Sequence, residues 1–165
     1  MHLLRDALPA AHGGALALRP LLVGVGNPTR GDDALGLEVA VRAARRFSHE
    51  LRVLALEAVP PDLALRWAGA PKVLLVDAAC SGLPPGTVHV FDALAAPLPA
   101  ETLRLSTHGL GLGEAIELAR ALGELPPRLI VFAVEIAGCQ PGAPLSPAAA
   151  AGVEEVLRRV ERELG

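Results

Sequence analysis

The chain has 165 residues, of which 52% are hydrophobic and only 2% aromatic, and its formal net charge is -3. This length suits one compact domain with a core of aliphatic side chains. The small charge, the spread of the basic residues and the scarcity of aromatic rings argue against a nucleic-acid partner. No apolar run reaches the roughly 20 residues that a bilayer crossing requires, so we expect no membrane partner.

Two cysteines, Cys80 and Cys139, are too few for a disulfide framework and do not form a zinc-type Cys-x-x-Cys pair. The first residues lack the long apolar region of a secretory signal. We therefore expect a cytoplasmic location. Residues 1–18 are predicted to be an N-terminal extension, and residues 19–165 a single domain that is monomeric or a weak homodimer.

In the first half of the chain, apolar runs alternate with helix-like segments. Residues 20–26, 51–58 and 72–76 resemble strands of a buried sheet. Residues 34–47 have the period of an amphipathic helix, which Asp32 or Asp33 could cap. Residues 61–68 resemble a short helix that a proline opens. This alternation predicts a parallel sheet.

The second half extends the same pattern. Residues 86–91 follow a Pro-Pro-Gly turn and predict a short antiparallel strand. A helix is expected after His108, a last apolar strand over residues 127–135, and a final helix over residues 148–164. We expect Ser146 to cap that final helix. The final helix also has Glu155 placed to pair with Arg158 or Arg159. The predicted fold is a three-layer α/β/α sandwich around a mostly parallel, mixed sheet.

Three ionisable residues directly follow an apolar strand or precede a helix: Asp33, Asp77 and His108. In a parallel sheet all three positions lie at the carboxyl edge, where ligands usually bind. Two carboxylates and an imidazole suit a divalent ion such as zinc or nickel. Taken singly, each residue also has an ordinary structural role: Asp33 as a helix cap, Asp77 as an acceptor of backbone N–H groups, and His108 as a cap or loop residue.

The glycine loop at residues 24–31 leaves a strand and enters a helix, as nucleotide-binding loops do. However, Thr29 stands where the dinucleotide fingerprint has its third glycine, and Asp32 and Asp33 stand where a phosphate loop has Lys-Ser or Lys-Thr. Two carboxylates at a helix N-terminus would repel a phosphate. The loop therefore favours a cation over an anion.

The stretch 23–36 (Val-Gly-Val-Gly-Asn-Pro-Thr-Arg-Gly-Asp-Asp-Ala-Leu-Gly) resembles the opening motif of the hydrogenase maturation endopeptidases. Further matches follow in order at residues 76–78 (Val-Asp-Ala), 106–112 (Ser-Thr-His-Gly-Leu-Gly-Leu) and 142–147 (Gly-Ala-Pro-Leu-Ser-Pro). The resemblance spans about residues 20–163. It implies an aspartic-type endopeptidase that removes the C-terminal extension from the precursor of the nickel-iron hydrogenase large subunit, once nickel has been inserted.

Carried across by motif, the resemblance makes Asp33, Asp77 and His108 both the catalytic set and the ligands of nickel. The nickel would arrive with the precursor, and no organic cofactor is implied. One stretch departs from the family pattern: residues 57–62 (Glu-Ala-Val-Pro-Pro-Asp) replace the Asp-Gly-Gly-Thr type of turn found after the second strand of many members.

Other polar residues have two possible roles each. Asp32 could orient His108 or a water molecule, or cap a helix. Cys80 could pair with His108 as a nucleophile, although a small, partly buried thiol is the commoner situation. Glu135 could line the same edge or accept backbone donors. Arg30 could bind a carboxylate of the precursor or be solvated. We expect His49 and His89 to lie at the surface.

Two other functions share the same scaffold. One is a small metallohydrolase with an unrelated substrate, since one fold hosts many activities. The other is a noncatalytic nickel-binding module for hydrogenase assembly, in which the altered turn at residues 57–62 has lost cleavage. Dependence on a nickel-loaded precursor separates the first from the maturation endopeptidase, and binding without tail release identifies the second.

Overall fold

A computed structural model describes residues 18–99 and 111–165, which form one five-stranded sheet flanked by helices. The strands lie in the order β2-β1-β3-β5-β4. Their bounds are β1 Leu21–Val25, β2 Arg52–Leu56, β3 Val73–Ala79, β4 Val88–Asp92 and β5 Leu129–Glu135. All neighbouring strands are parallel except β4, which runs antiparallel to β5. The predicted mixed, mostly parallel sheet is confirmed.

Four α-helices accompany the sheet within the described residues: α1 Leu35–Arg46, α2 Leu63–Trp67, α3 Leu112–Leu122 and α4 Pro147–Leu164. A 3-10 turn at Gly31–Ala34 precedes α1. In this part of the chain, no helix combines the length and the apolar composition needed to cross a membrane. Most of the predicted extension, residues 1–17, lies outside the described residues.

Each face of the sheet is covered by one hydrophobic cluster. Side chains of α2 and α3 pack on one face, around Trp67, Leu75 and Ile116. Side chains of α1 and α4 pack on the other, around Val39, Phe132 and Val156. Because successive strand residues point to opposite faces, β3 and β5 supply both clusters and are buried along nearly their whole length. This arrangement is the predicted three-layer α/β/α sandwich.

Glycines allow α1 to lie directly against the sheet. A Cβ atom on Gly24 of β1 would come within 1.9 Å of the Gly36 carbonyl oxygen, and a Cβ on Gly36 within 2.1 Å of the Val25 carbonyl oxygen. The strand and helix backbones can approach this closely only because both positions are glycine. Helix–strand packing therefore accounts for Gly24, the first glycine of the loop that resembles a nucleotide-binding loop.

Several local predictions are confirmed and two are wrong. Ser146 caps α4, with its Oγ accepting a hydrogen bond from the Ala149 N–H, and Glu155 pairs with both Arg158 and Arg159. Neither aspartate caps α1, because no side chain bonds the N-terminus of the 3-10 turn or of the helix. The third strand does not end before Asp77 but continues to Ala79.

Candidate functional site at the carboxyl edge of the sheet

The structure brings two of the three predicted site residues together. Asp33 lies in the 3-10 turn between β1 and α1, and Asp77 lies in β3, the strand next to β1. In the β1–β3 register, Gly24 pairs with Val76, so Asp77 lies one residue beyond the last paired position. The two residues therefore lie on neighbouring elements at the same edge of the sheet, and the negative charge of Asp33 raises the pKa of Asp77.

Burial, more than any partner, sets the proton affinity of both groups. Loss of solvent raises the pKa of Asp77 to about 8, and the charge of Asp33 adds to this shift. The Ala78 N–H donates to Asp77 Oδ1 at 2.8 Å and acts in the opposite direction. Burial also raises the pKa of Asp33, against the attraction of the Arg30 guanidinium. The alternative role of Asp77 as an acceptor of a backbone N–H is thus also realised.

The third predicted residue, His108, lies outside the described residues, as does the segment 106–110 of its motif. Within residues 18–99 and 111–165, no group of three or more His, Cys, Asp or Glu side chains is arranged to hold a metal ion. The three-residue metal set therefore stays a prediction. The helix expected after His108 is confirmed as α3, and the Gly111 N–H donates to Glu114 Oε2 at 3.0 Å at its start.

Backbone contacts fix the turn that carries Asp33. A Cβ atom on Gly26 would come within 2.1 Å of the Asp33 carbonyl oxygen, so the end of β1 and this turn lie in direct contact. The Asn27 N–H donates to that oxygen at 3.1 Å, and the Asp33 N–H donates to the Arg30 carbonyl at 3.1 Å. The position of Asp33 thus depends on the glycine at position 26.

Asp32 does not cap a helix. Its side chain is buried, and its carboxylate accepts hydrogen bonds from the backbone N–H groups of Ala137 and Ser146 and from the Ser146 hydroxyl. Within the described residues, these donors are the hydrogen-bond partners of the Asp32 carboxylate; its predicted role toward His108 stays a prediction because His108 lies outside them. The partners of Asp32 are more than 100 positions away in the chain, so no local sequence signal marked them.

A second polar cluster is formed by Glu135, His89 and Ser81. It confirms the alternative in which Glu135 accepts a backbone donor, and it corrects the expectation for His89. His89 is not a surface residue: its side chain is only 18% exposed, and its Nε2 lies 2.8 Å from Glu135 Oε1. Glu135 is buried and also accepts from the backbone N–H and the hydroxyl of Ser81. Burial raises the pKa of Glu135, but the hydrogen bonds from Ser81 and His89 bring it below its usual value. A lone acid in an apolar strand was the only sequence signal for this cluster.

The remaining candidates occupy the rim of the domain. His49 is exposed, as predicted, whereas Cys80, expected to be at least half-buried, is exposed. Arg30 contacts another side chain and is not only solvated: its Nη2 lies 3.5 Å from Cys139 Sγ. The altered turn at residues 57–62 is largely exposed beyond the carboxyl end of β2.

The fold and this pair of carboxyl groups define an α/β protein with two neighbouring acids at the carboxyl edge of its sheet. The family model described as hydrogenase maturation protease (HycI) matches residues 37–163. The chain therefore belongs to the hydrogenase maturation protease family. The match includes Asp77 and begins four positions after Asp33.

Individual relatives agree with this assignment. The hydrogenase 2 maturation protease of Escherichia coli K12 is 27% identical over 146 residues, which are 87% of this chain and 88% of that protein. The hydrogenase expression/formation protein HoxM of Cupriavidus necator is 27% identical over 121 residues; these are 72% of this chain but only 57% of HoxM. The solved structure of the hydrogenase maturating endopeptidase HybD from E. coli superposes with a TM-score of 0.74 at 27% identity, covering 89% of this chain and 92% of that one.

Proposed function

We propose that this chain is an endopeptidase that removes the C-terminal extension of a [NiFe] hydrogenase large-subunit precursor and uses nickel bound in the precursor for recognition. The observation that carries the proposal is the pair Asp33 and Asp77 at the carboxyl edge of the sheet, in a chain of the hydrogenase maturation protease family. The similar structure of HybD, named an endopeptidase, supports peptide-bond cleavage as the reaction.

The electrostatics of the two carboxyl groups favour a cation between them. Asp77 is poorly solvated and is repelled by Asp33. Within the described residues, no basic side chain forms an ion pair with either group. A divalent ion would offset the repulsion and replace the missing solvation, and carboxylate oxygens are ordinary ligands for such ions. Because a ligating carboxylate must be ionised, binding would release a proton from Asp77.

In the proposed reaction, Asp33, Asp77 and His108 bind the nickel that the precursor carries. An ion shared between precursor and enzyme would hold the scissile bond in one place, and proximity of this kind removes a large part of a reaction barrier. A precursor without nickel lacks the shared ion and would not be held. The metal requirement then serves as a checkpoint on cofactor insertion. We place this reaction in the cytoplasm.

The proposal is tested by incubating the purified chain with nickel-loaded and nickel-free large-subunit precursors and measuring product masses. We expect a short C-terminal peptide to be released from the loaded form only. Asp33→Asn, Asp77→Asn and His108→Ala should abolish release. The matched control is Glu50→Gln, which neutralises an exposed carboxylate after α1 and should cleave normally.

Two results would contradict the proposal. Equal cleavage of both precursor forms would remove nickel from the recognition step and favour an ordinary hydrolase. Binding of the loaded precursor without release of the tail would identify a noncatalytic assembly module instead. In such a module, the exposed, altered turn at residues 57–62 would account for the loss of cleavage.

A further inference from the structure

Asp32 is one of two charged side chains that are fully buried among the described residues, and it directly precedes Asp33 in the chain. Its Oδ1 accepts the Ser146 N–H at 2.6 Å, and its Oδ2 accepts the Ala137 N–H at 3.0 Å and the Ser146 hydroxyl at 2.8 Å. Three donors thus converge on one carboxylate. Each of these hydrogen bonds is strong, because a hydrogen bond to a charged group is stronger than one between neutral groups. We call Asp32, Ala137 and Ser146 the Asp32 clamp.

The clamp joins two segments that are distant in sequence. One is the loop 27–33, which carries Asp33, and the other is the connection 137–146 between β5 and α4. Two backbone hydrogen bonds run alongside the clamp: the Asp32 N–H donates to the Gly138 carbonyl at 3.2 Å, and the Gly142 N–H donates to the Thr29 carbonyl at 2.8 Å. The connection 137–146 therefore forms a wall against which the Asp33 loop is held.

The Ser146 hydroxyl is fully committed within this arrangement. Its oxygen accepts the Ala149 N–H at 3.2 Å in the first turn of α4, so its single proton is donated to Asp32. The carboxylate thus takes up donors at the start of an 18-residue helix, where negative charge is stabilised. As a result, the loop is fixed to α4 and not to a flexible segment alone.

We propose that Asp32 is a positioning residue: the Asp32 clamp holds the Asp33 carboxylate at the distance from Asp77 that the substrate's nickel requires. On one side, Gly26 prevents the Asp33 carbonyl from moving toward β1, since the two are in contact. On the other side, the clamp prevents the loop from moving away from the sheet. The catalytic consequence rests on the proposed function, but the geometric one does not.

Asp32→Asn is the most selective disruption. The amide keeps the size of the side chain but offers only one acceptor oxygen, and its NH2 group must then face either the Ala137 or the Ser146 N–H. One backbone donor is left without an acceptor in both orientations. We expect kcat on the nickel-loaded precursor to fall about 100-fold, the effect of a displacement near 1 Å at a reacting centre. KM should rise as well, because Asp33 is one of the ligands through which the precursor's nickel is held.

Glu135→Gln is the matched control. Glu135 is the other acid with almost no solvent exposure among the described residues. It accepts backbone and side-chain donors in the same way, but its partners are Ser81 and His89. Both variants should lower the melting temperature. If Asp32 has only a structural role, kcat measured well below both melting temperatures will be normal for both variants, and the proposal is wrong. An equal loss of kcat in both variants would also overturn it.

A measurement without substrate separates this inference from the proposed function. The Asn27 and Asp33 amides, which are bonded within the loop, should exchange hydrogen much faster in Asp32→Asn than in the wild type, while Glu135→Gln leaves them unchanged. Unchanged exchange in Asp32→Asn would overturn the clamp even if the wild type cleaves precursor. If exchange is faster in Asp32→Asn but the wild type cleaves no precursor, the result supports the clamp and contradicts the endopeptidase function.

Discussion

At the scale of single residues, Asp77 is a group of the described residues whose chemistry the fold changes strongly. Its pKa rises to about 8 because the surrounding protein replaces water and because Asp33 lies nearby. A carboxyl group held in this way is protonated at neutral pH in the free protein, and a bound cation would reverse that preference. The ionised form of Asp77 therefore destabilises the free folded protein, and a bound cation would stabilise that form. This is the behaviour expected of a residue that binds a cation.

The raised pKa of Asp77 predicts how stability depends on pH. Between about pH 4 and pH 8 the folded chain keeps a proton that the unfolded chain has lost, so the free energy of unfolding falls as pH rises, by up to about 1.4 kcal/mol per pH unit for one proton. Above pH 8 this contribution no longer changes. Asp77→Asn should flatten the dependence in that window, measured by denaturant unfolding between pH 5 and pH 8. Parallel curves for the variant and the wild type would contradict the shift.

Gly26 offers a second test at this scale. In Gly26→Ala the added methyl group would meet the Asp33 carbonyl oxygen at 2.1 Å, so the loop must move. We expect a loss of about 1–3 kcal/mol in the free energy of unfolding, as for other overpacked sites, and loss of precursor cleavage. The control is Gly113→Ala in α3, where the new Cβ meets nothing within 4 Å and alanine favours the helix. Normal cleavage by Gly26→Ala would show that the loop tolerates displacement.

Sequence reasoning selected Asp33 and Asp77 because one precedes an amphipathic helix and the other follows an apolar run. It offered backbone donors for Glu135 as one alternative, but it did not identify the partners on which the roles of Asp32, His89 and Glu135 rest. Those roles depend on partners 46 to 114 positions away, and such pairings follow from strand register and loop packing, not from local spacing. A charged residue in an apolar segment signals that a partner exists but does not identify it.

At the scale of elements, α1 and α4 show which contacts hold a layer to its neighbour. Their facing side chains form a buried cluster, whereas pairs such as Arg46–Glu161, 2.9 Å apart, lie at the surface with 43% and 57% of each side chain exposed. Exposed pairs contribute little because water and salt screen them. The buried face must therefore supply most of the attachment.

A pair of substitutions in α4 tests this division. Val156→Ala removes two carbon atoms from a fully buried side chain and leaves a cavity. It should lower the free energy of unfolding by about 2 kcal/mol. Glu161→Gln breaks the surface pair with Arg46 and should cost less than about 1 kcal/mol. Urea titrations of both variants provide the comparison. A larger cost for Glu161→Gln would show that the surface pair is stronger than its exposure implies.

Helices and strands were predictable because each has a characteristic spacing of apolar residues in the sequence. All four helices and five strands of the described residues fall close to the expected ranges. Their ends were less predictable. β3 continues through Asp77 to Ala79 because β5 pairs with it along its full length, so a polar residue that looks like a strand end is carried inside the ladder. Pairing with a distant strand overrides the local signal.

At the scale of the whole molecule, one sheet contributes side chains to both hydrophobic clusters, so neither cluster can be lost alone. Trp67, the only tryptophan of the chain, is buried on the α2–α3 side, and its Nε1 donates to the Glu124 carbonyl at 2.9 Å. Its fluorescence should report unfolding at the same denaturant concentration as far-ultraviolet circular dichroism, which reports all layers. Separate midpoints would indicate that the two layers unfold independently and that the single-domain interpretation is wrong.

The direct contact of α1 with β1 through Gly24 and Gly36 has a consequence for protein engineering. Because bare backbone sets the spacing between that helix and the strand, the bulk of the surrounding aliphatic residues has little influence on where the first acid of the site is presented. A combinatorial library that exchanges Leu, Val and Ile in the interior at constant total volume should therefore keep more active clones than a library that randomises those two glycines. The placement of that acid would then survive a volume-conserving redesign of the interior around it.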